Sequence, residues 1–482
     1  MNAQRTMDWK KFDEILSQAG PYTVYESSRD ISGETLCAMV RVNGKKKLAA
    51  AGAADAFEGA DIGGVKLCGL TVENAKALMA AFPYTKPVSH QGHKFTLGLG
   101  DRLGLAAPGQ LRALEGKDVF PILAQQSIRE LTLTNRTFSD VIAAAAFGVF
   151  QAGYKGGYGA DGDHLKTKEE IKYALDSGCT MITLDCSAHI KDEAAGLTGG
   201  ELKAAYEALP GETREHYESL YLGKDLPLVG KLDQDEFMKL VLVFSGAVAH
   251  AIDCYNYMGS IAAAAFDFEL SIDEARAVTS PAEHLIIAME LEKAGVKLSS
   301  VAPHFSGEFE KGIEYQGKLS KFASDMEVHQ KIADMYGYKL SLHSGSDKFS
   351  VFPAFSRITG GHMHVKTAGT NWLEAVRVMS KKAPGLYRKA QKFALEMYPE
   401  SSKYYHVSTD PYSIQDIDLL SDAYLPELVD LPASRQLMHI SYGVLLAEPW
   451  FKDAFFAMMD ENEEIYYEGL KHHIGRHLRY LL

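Results

Sequence analysis

Cysteine is scarce in this chain: five in 482 residues, with no C-x-x-C pair among them. The odd count and the spacing leave no paired-thiol metal or redox motif. Cys37, Cys68, Cys179, Cys186 and Cys254 therefore read as free thiols in a reducing cytoplasm. Excess basic charge is also lacking. The net charge is −13, which argues against a nucleic-acid partner, because phosphate binding requires a basic face. Long apolar runs are missing: the most apolar stretches, 141–150, 241–252 and 261–266, are each too short to cross a bilayer. The first ten residues lack the apolar core of a secretory signal. The expectation is a cytoplasmic protein with no membrane partner. A dinucleotide fingerprint is absent as well. Gly98-Leu99-Gly100 with Asp101-Arg102 resembles a phosphate loop only loosely and lacks the acidic partner of such a site.

What remains is an ordinary globular composition, 46% hydrophobic and 23% charged. Residues 1–93 read as a small α+β extension. Strand-like runs at 22–25 and 35–42 precede an Asn43-Gly44 turn signal, and a helix follows over 71–81 with Thr71 as N-cap. From residue 94 short apolar runs alternate with helical patterns. The strand-like runs are 95–100, 119–124, 154–156, 180–185, 263–269, 297–304, 339–343, 361–366 and 404–410. Such alternation over about eight units predicts an α/β fold, a (β/α)8 TIM-type barrel over 94–415. An open doubly wound sheet is the alternative. A charged helical insertion near 187–236 interrupts the series. Helices over 416–482 cap the barrel or pack a partner subunit of a homo-oligomer.

A barrel enzyme carries its site at the C-terminal ends of its strands. His, Asp and Glu gather there in this sequence. Asp161, Asp163 and His164 stand in the glycine-rich stretch 156–166, Asp185 ends the next run, and Asp267 and Glu269 share one face of a third. His304, His343, His362, His364, His406 and Asp410 lie on or end the others. Imidazoles from separate strand ends suit a divalent metal such as zinc, manganese, iron or cobalt. His164, His304 and His343 are the candidate ligands. His362 and His364 are the rival pair, with substrate binding as their other use. Asp163 and Glu269 are candidates for proton transfer, and metal ligation is the alternative for both. Arg129, Lys166, Asp185, Lys348, Arg357 and Lys366 are candidates for holding a substrate anion or its hydroxyls.

Three strings together resemble the tagaturonate/fructuronate epimerase family of bacterial hexuronate breakdown. They are Tyr158-Gly159-Ala160-Asp161-Gly162-Asp163-His164-Leu165-Lys166, Thr183-Leu184-Asp185 and Gly361-His362-Met363-His364-Val365-Lys366-Thr367. The resemblance implies a metal-dependent C4 epimerase acting on sugar acids. Asp163 would be the proton acceptor, Glu269 the proton donor, and His164, His304 and His343 the metal ligands. The carry-over is weaker at Glu269 because Asp267 points the same way. A metal-dependent sugar isomerase, a class II aldolase and a non-catalytic sugar-binding barrel are the competing readings.

Chemistry narrows the route. In a 2-ketohexuronate C4 is beta to the ketone, so the ketone does not acidify its C–H. Taking the proton of the C4 hydroxyl instead permits C3–C4 cleavage to an enediolate that a metal can stabilise. Turning the aldehyde and re-adding it inverts C4. Transient oxidation at C4 is disfavoured because no nicotinamide fingerprint is visible. Direct proton transfer between Asp163 and Glu269 stays open.

Overall fold

The computed structural model describes residues 8–90 and 92–482. An antiparallel sheet comes first: β1 (Tyr22–Val24), β2 (Asp30–Ser32), β3 (Thr35–Val42), β4 (Lys45–Gly52), β5 (Gly59–Asp61) and β6 (Val65–Cys68). Its order is β1-β3-β4-β6-β5, with β2 paired to β3. Asn43 and Gly44 both adopt positive φ between β3 and β4, as a tight hairpin turn requires. One face of the sheet buries Val40 and Ala49 against Phe12 and Leu16 of helix Trp9–Gln18. The other packs Cys37 and Met39 onto Phe147 and Phe150 of helix Phe138–Ala152, which belongs to the barrel.

Eight parallel strands then close into a barrel: β7 (Phe95–Gly98), β8 (Phe120–Ser127), β9 (Gly159–Leu165), β10 (Met181–Asp185), β11 (Asp267–Ser271), β12 (Ser300–Ala302), β13 (Lys339–Leu342) and β14 (Met363–Lys366). Closure is made by β14 on β7, with Val365 opposite Leu97. All residues of β7, β8 and β10 are buried, as expected where helices cover one face and side chains fill the other.

Four expectations change. The run 404–410 is not a strand; it is a 3-10 turn and loop at the barrel mouth, because β14 has already closed the sheet on β7. The strand lies later than the run 154–156: the glycine-rich stretch Gly159–Leu165 is β9 itself. Its glycines serve packing. A Cβ on Gly159 would lie 2.5 Å from Ile122 Cδ1, and one on Gly162 would lie 2.9 Å from Ala174 Cβ. The run 263–269 begins pairing only at Asp267, so Asp267 opens β11 and Glu269 is mid-strand. Finally, the apolar run 241–252 is part of helix Gln234–Ile261, which is long and apolar enough, by length and composition alone, to cross a membrane. In this fold its face from Phe237 to Met258 is buried in the main hydrophobic core.

Between β10 and that long helix the chain forms helices Gly199–Glu207 and Gly211–Tyr221. At the C-terminus helix Glu463–Leu481 packs on helix Ala107–Leu114. The approach is close: a Cβ on Gly109 would lie 2.8 Å from Tyr467 Cα. All five cysteines are buried and free.

Candidate active site

Strand β9 brings the largest number of reactive groups inward. Alternation points Asp161 and Asp163 into the barrel. Opposite Ile182 and Leu184 of β10 stand Gly162 and Leu165, so the two residues Asp163 and His164 face one, Thr183. This bulge places His164 at φ +52, a left-handed conformation uncommon for a residue with a Cβ. It breaks the alternation, and consecutive residues Asp163 and His164 line the same cavity. That cavity, of about 340 Å³, opens at the C-terminal ends of the strands and is also lined by Arg129, Asp273, Glu274, His304, Lys311, His343, Lys366 and Tyr405.

Beneath it lies a buried cluster centred on Lys366, the last residue of β14. Lys366 Nζ lies 2.6 Å from Asp163 Oδ1, 3.0 Å from Asp161 Oδ2, 2.8 Å from Glu269 Oε1 and 2.5 Å from Thr183 Oγ1. Thr183 lies between Asp161 Oδ2, at 3.0 Å, and Glu269 Oε1, at 3.2 Å. Burial alone would raise the Asp163 carboxyl; Lys366 and the imidazoles of His164 and His343 outweigh it and hold the group below the usual range. Glu269 is likewise held well below it, burial being outweighed by Lys366 and His343. Asp161 carries the opposite balance. Its burial and its acidic neighbours outweigh Lys366 and push it up to about 6.

Glu269 does not line the cavity. It is fully buried one layer below, where Ser300 donates to Oε2 at 2.5 Å and His343 Nε2 lies 2.8 Å from Oε1. It therefore reaches the cavity through Lys366 and His343. The ambiguity with Asp267 disappears: Asp267 lies at the opposite end of the barrel, where it accepts from Ser89 Oγ and the His90 backbone N–H.

The three candidate ligand histidines meet in one cavity. The His164 and His343 rings are 5.0 Å apart, edge to face. His164 Nδ1 is buried without a hydrogen-bond partner. His304 Nδ1 lies 2.5 Å from the Ala275 carbonyl, to which it donates, leaving its Nε2 lone pair free. His343 is held between two carboxylates, Glu269 and Asp273 (3.1 Å from Nδ1). Burial would lower its pKa; Asp273 and Glu269 prevail and raise it to about 10. These donors suit a divalent cation, but their ligand atoms are not gathered, and His343 must lose its proton to bind one. Among the described residues, a compact set of donors within 4.8 Å occurs elsewhere, at Asp347, His473 and His477. Its atoms are already engaged: Arg435 pairs with Asp347, the Asp347 backbone N–H donates to His477 Nε2, and His473 Nε2 meets Thr370.

The substrate-anion candidates separate. Arg129 lines the cavity. Lys366 is the hub of the buried cluster. His364 is interior, with Nδ1 2.8 Å from Thr96 Oγ1. His362 precedes β14 and lines a different cavity at the N-terminal end of the barrel, because the strand between it and the site runs the barrel's full height. Lys166 and Asp185 pair at 3.2 Å beside Ser187, away from the cavity lining. Lys348 Nζ is saturated by the carbonyls of Glu310, Ile313 and Ser346. Arg357 is two-thirds exposed beside Glu327. His406 lines the mouth, and Asp410 caps the turn Pro411–Ser413. Asp273, Glu274, Lys311 and Tyr405 were not singled out as site residues from the sequence; the first three lie on loops whose composition carries no periodic signal, and Tyr405 lay in the run 404–410 read as a strand.

Residues 25–481 match the tagaturonate epimerase family. The chain belongs to that family. It is 41% identical over 415 residues to the tagaturonate/fructuronate epimerase of Thermotoga maritima, covering 85% of both chains. Crystal structures of a fructuronate-tagaturonate epimerase from Cohnella laeviribosi, native and with glycerol bound, share its fold. Their TM-score is 0.94, with 47% and 46% identity, over 98% of this chain and 99% of theirs. Family membership makes it an enzyme, an epimerase of sugar acids.

Proposed function

We propose that this chain interconverts D-tagaturonate and D-fructuronate by inverting C4, with a divalent cation as cofactor. The observation that carries the reading is that two ionised carboxylates, Asp163 and Glu269, converge on one buried ammonium beside three imidazoles. Asp163 faces the cavity and takes the proton of the C4 hydroxyl. The C4–O electrons become a carbonyl as the C3–C4 pair moves to C3 and onto the C2 oxygen. The products of that step are a three-carbon enediolate and a three-carbon aldehyde acid. Turning the aldehyde presents its other face, the C3–C4 bond re-forms, and Asp163 returns the proton. A cation held by His164, His304 and His343 would supply positive charge to the enediolate oxygens. The Lys366 ammonium adds charge from below, and Glu269 holds Lys366 and His343 and relays protons through them.

Exhaustive chelation is expected to abolish turnover of D-tagaturonate followed by NMR, with recovery on adding manganese, zinc, cobalt or iron(II). Full activity in metal-free protein would refute the cofactor. In the same assay the product separates the chemistries: an aldolase accumulates fragments and an isomerase moves the carbonyl, whereas an epimerase does neither. His304→Ala and His343→Ala are expected to lower metal occupancy of the purified protein. His362→Ala, at the far end of the barrel, is expected to leave it unchanged.

A further inference from the structure

Two cations on the cavity wall are left without an acidic partner by the cluster around Lys366. Arg129 lies in the first turn of helix Ile128–Thr134, which is fastened by a capping box between Ser127 and Glu130. Its guanidinium lies 4.8 Å from the centre of the Tyr405 ring and donates to the Tyr404 carbonyl. Lys311 lies on the loop after β12 and donates to Ser344 Oγ at 2.6 Å. Among the described residues no carboxylate comes within 4 Å of either charge. Arg102, the third basic group of the upper cavity, differs: it is buried and paired with Glu130 at 2.9 Å.

The backbone around Lys311 is held to an unusual degree. The carbonyls of Glu310 and Ile313 accept from Lys348 Nζ at 2.8 and 2.6 Å, that of Lys311 from Gln436 Nε2 at 3.2 Å, and that of Gly312 from Arg435 Nε at 2.7 Å. Four consecutive carbonyls are thus each bonded to a buried side chain. A surface loop needs no such fastening; a loop that presents one charge at a defined point does. Burial, then the nearby Arg129 charge, lowers the Lys311 pKa against the opposing pull of Glu274, Glu130 and Asp273, so the two cations act on each other across the cavity. An anion placed between them relieves that repulsion.

We propose that Arg129 and Lys311 form the clamp for the substrate's carboxylate, the feature that selects sugar acids over neutral ketoses. The proposal rests on reading the cavity as a sugar-acid site. In a 2-ketohexuronate the carboxylate is C6, so C3–C4 cleavage leaves it on the aldehyde fragment. The clamp therefore anchors the piece that must turn and be retained, while Asp163 and the histidines act at the other end. Lys348 acts through the loop, which explains why a lysine with no substrate contact is buried there.

The test is calorimetric binding of D-galactonate, an unreactive sugar acid, beside D-tagatose as the neutral ketose, with steady-state kinetics on D-tagaturonate. Wild type is expected to bind galactonate more tightly than tagatose. Lys311→Met and Arg129→Gln should each weaken galactonate binding and raise KM for tagaturonate by about 10–100-fold, the usual weight of a charge-assisted hydrogen bond. Lys311→Arg, which keeps the charge, should recover much of the loss. Unchanged galactonate affinity in both charge-removing variants, or equal affinity of wild type for the two ligands, overturns the clamp. Galactonate binding that depends on both residues, in a protein that does not turn over tagaturonate, supports the clamp and overturns the epimerase reading.

Discussion

Asp163→Asn is expected to lower kcat by about 10²–10⁴-fold, the usual contribution of a positioned base, in a protein that stays folded. The substitution keeps the size and an oxygen for Lys366 Nζ, 2.6 Å away, but removes the basic electron pair. Asp163 is the carboxylate of the cluster that both faces the cavity and is held ionised, by Lys366 and two imidazoles against its own burial. Glu269→Gln tests a different arrangement, since Glu269 touches Ser300, His343 and Lys366 rather than the cavity. It should also slow turnover, with a lowered affinity for metal through His343. Running the wild-type reaction in deuterated solvent separates the routes. Cleavage and re-addition leave hydrogen on C4, whereas direct deprotonation washes deuterium in. Near-normal turnover of Asp163→Asn would remove the base, and deuterium at C4 would remove the cleavage route.

The barrel was legible because strands buried on both faces read as short apolar runs between helical patterns; β7, β8, β10, β13 and β14 all lie within or overlap such runs. β9 was placed too early, at 154–156, because Gly159 and Gly162 have the composition of a loop. Their reason is a close contact with Ile122 and Ala174, which no local pattern encodes. The reactive residues were legible for a different reason: His, Asp and Lys gather after or at the ends of the strand-like runs, so Asp163, His164, His343 and Lys366 stand out. Direction along the barrel was not legible. His362 and His364 share a face by period two, yet one lines the lower cavity and the other is interior. Lys311 and Asp273 could not be found, since a charged residue on a loop looks like any solvated one until the loop folds over a cavity. The ion cluster around Lys366 was also not legible, because only the closed barrel brings β9, β10 and β11 around it.

Lys366→Met is expected to destabilise the protein by about 3–5 kcal/mol and to abolish activity together. The ammonium is 4% exposed and is the positive charge that Asp161, Asp163 and Glu269 share directly. Removing one partner of a buried ion cluster leaves uncompensated charge in a low dielectric, which costs far more than the pair contributes net. The folded chain can respond only by protonating carboxylates. Asp161, already pushed up to about 6 by burial and by its acidic neighbours, takes the first proton. It follows that Asp161→Asn added to Lys366→Met should recover part of the lost stability at neutral pH, although it restores no activity, because Asp163 and Glu269 still lack the cation that holds them ionised and in place. Thermal and denaturant unfolding of the single and double variants measure this. A Lys366→Met protein as stable as wild type, or a double variant no more stable than the single one, would mean that the three carboxylates do not depend on Lys366 for their charge.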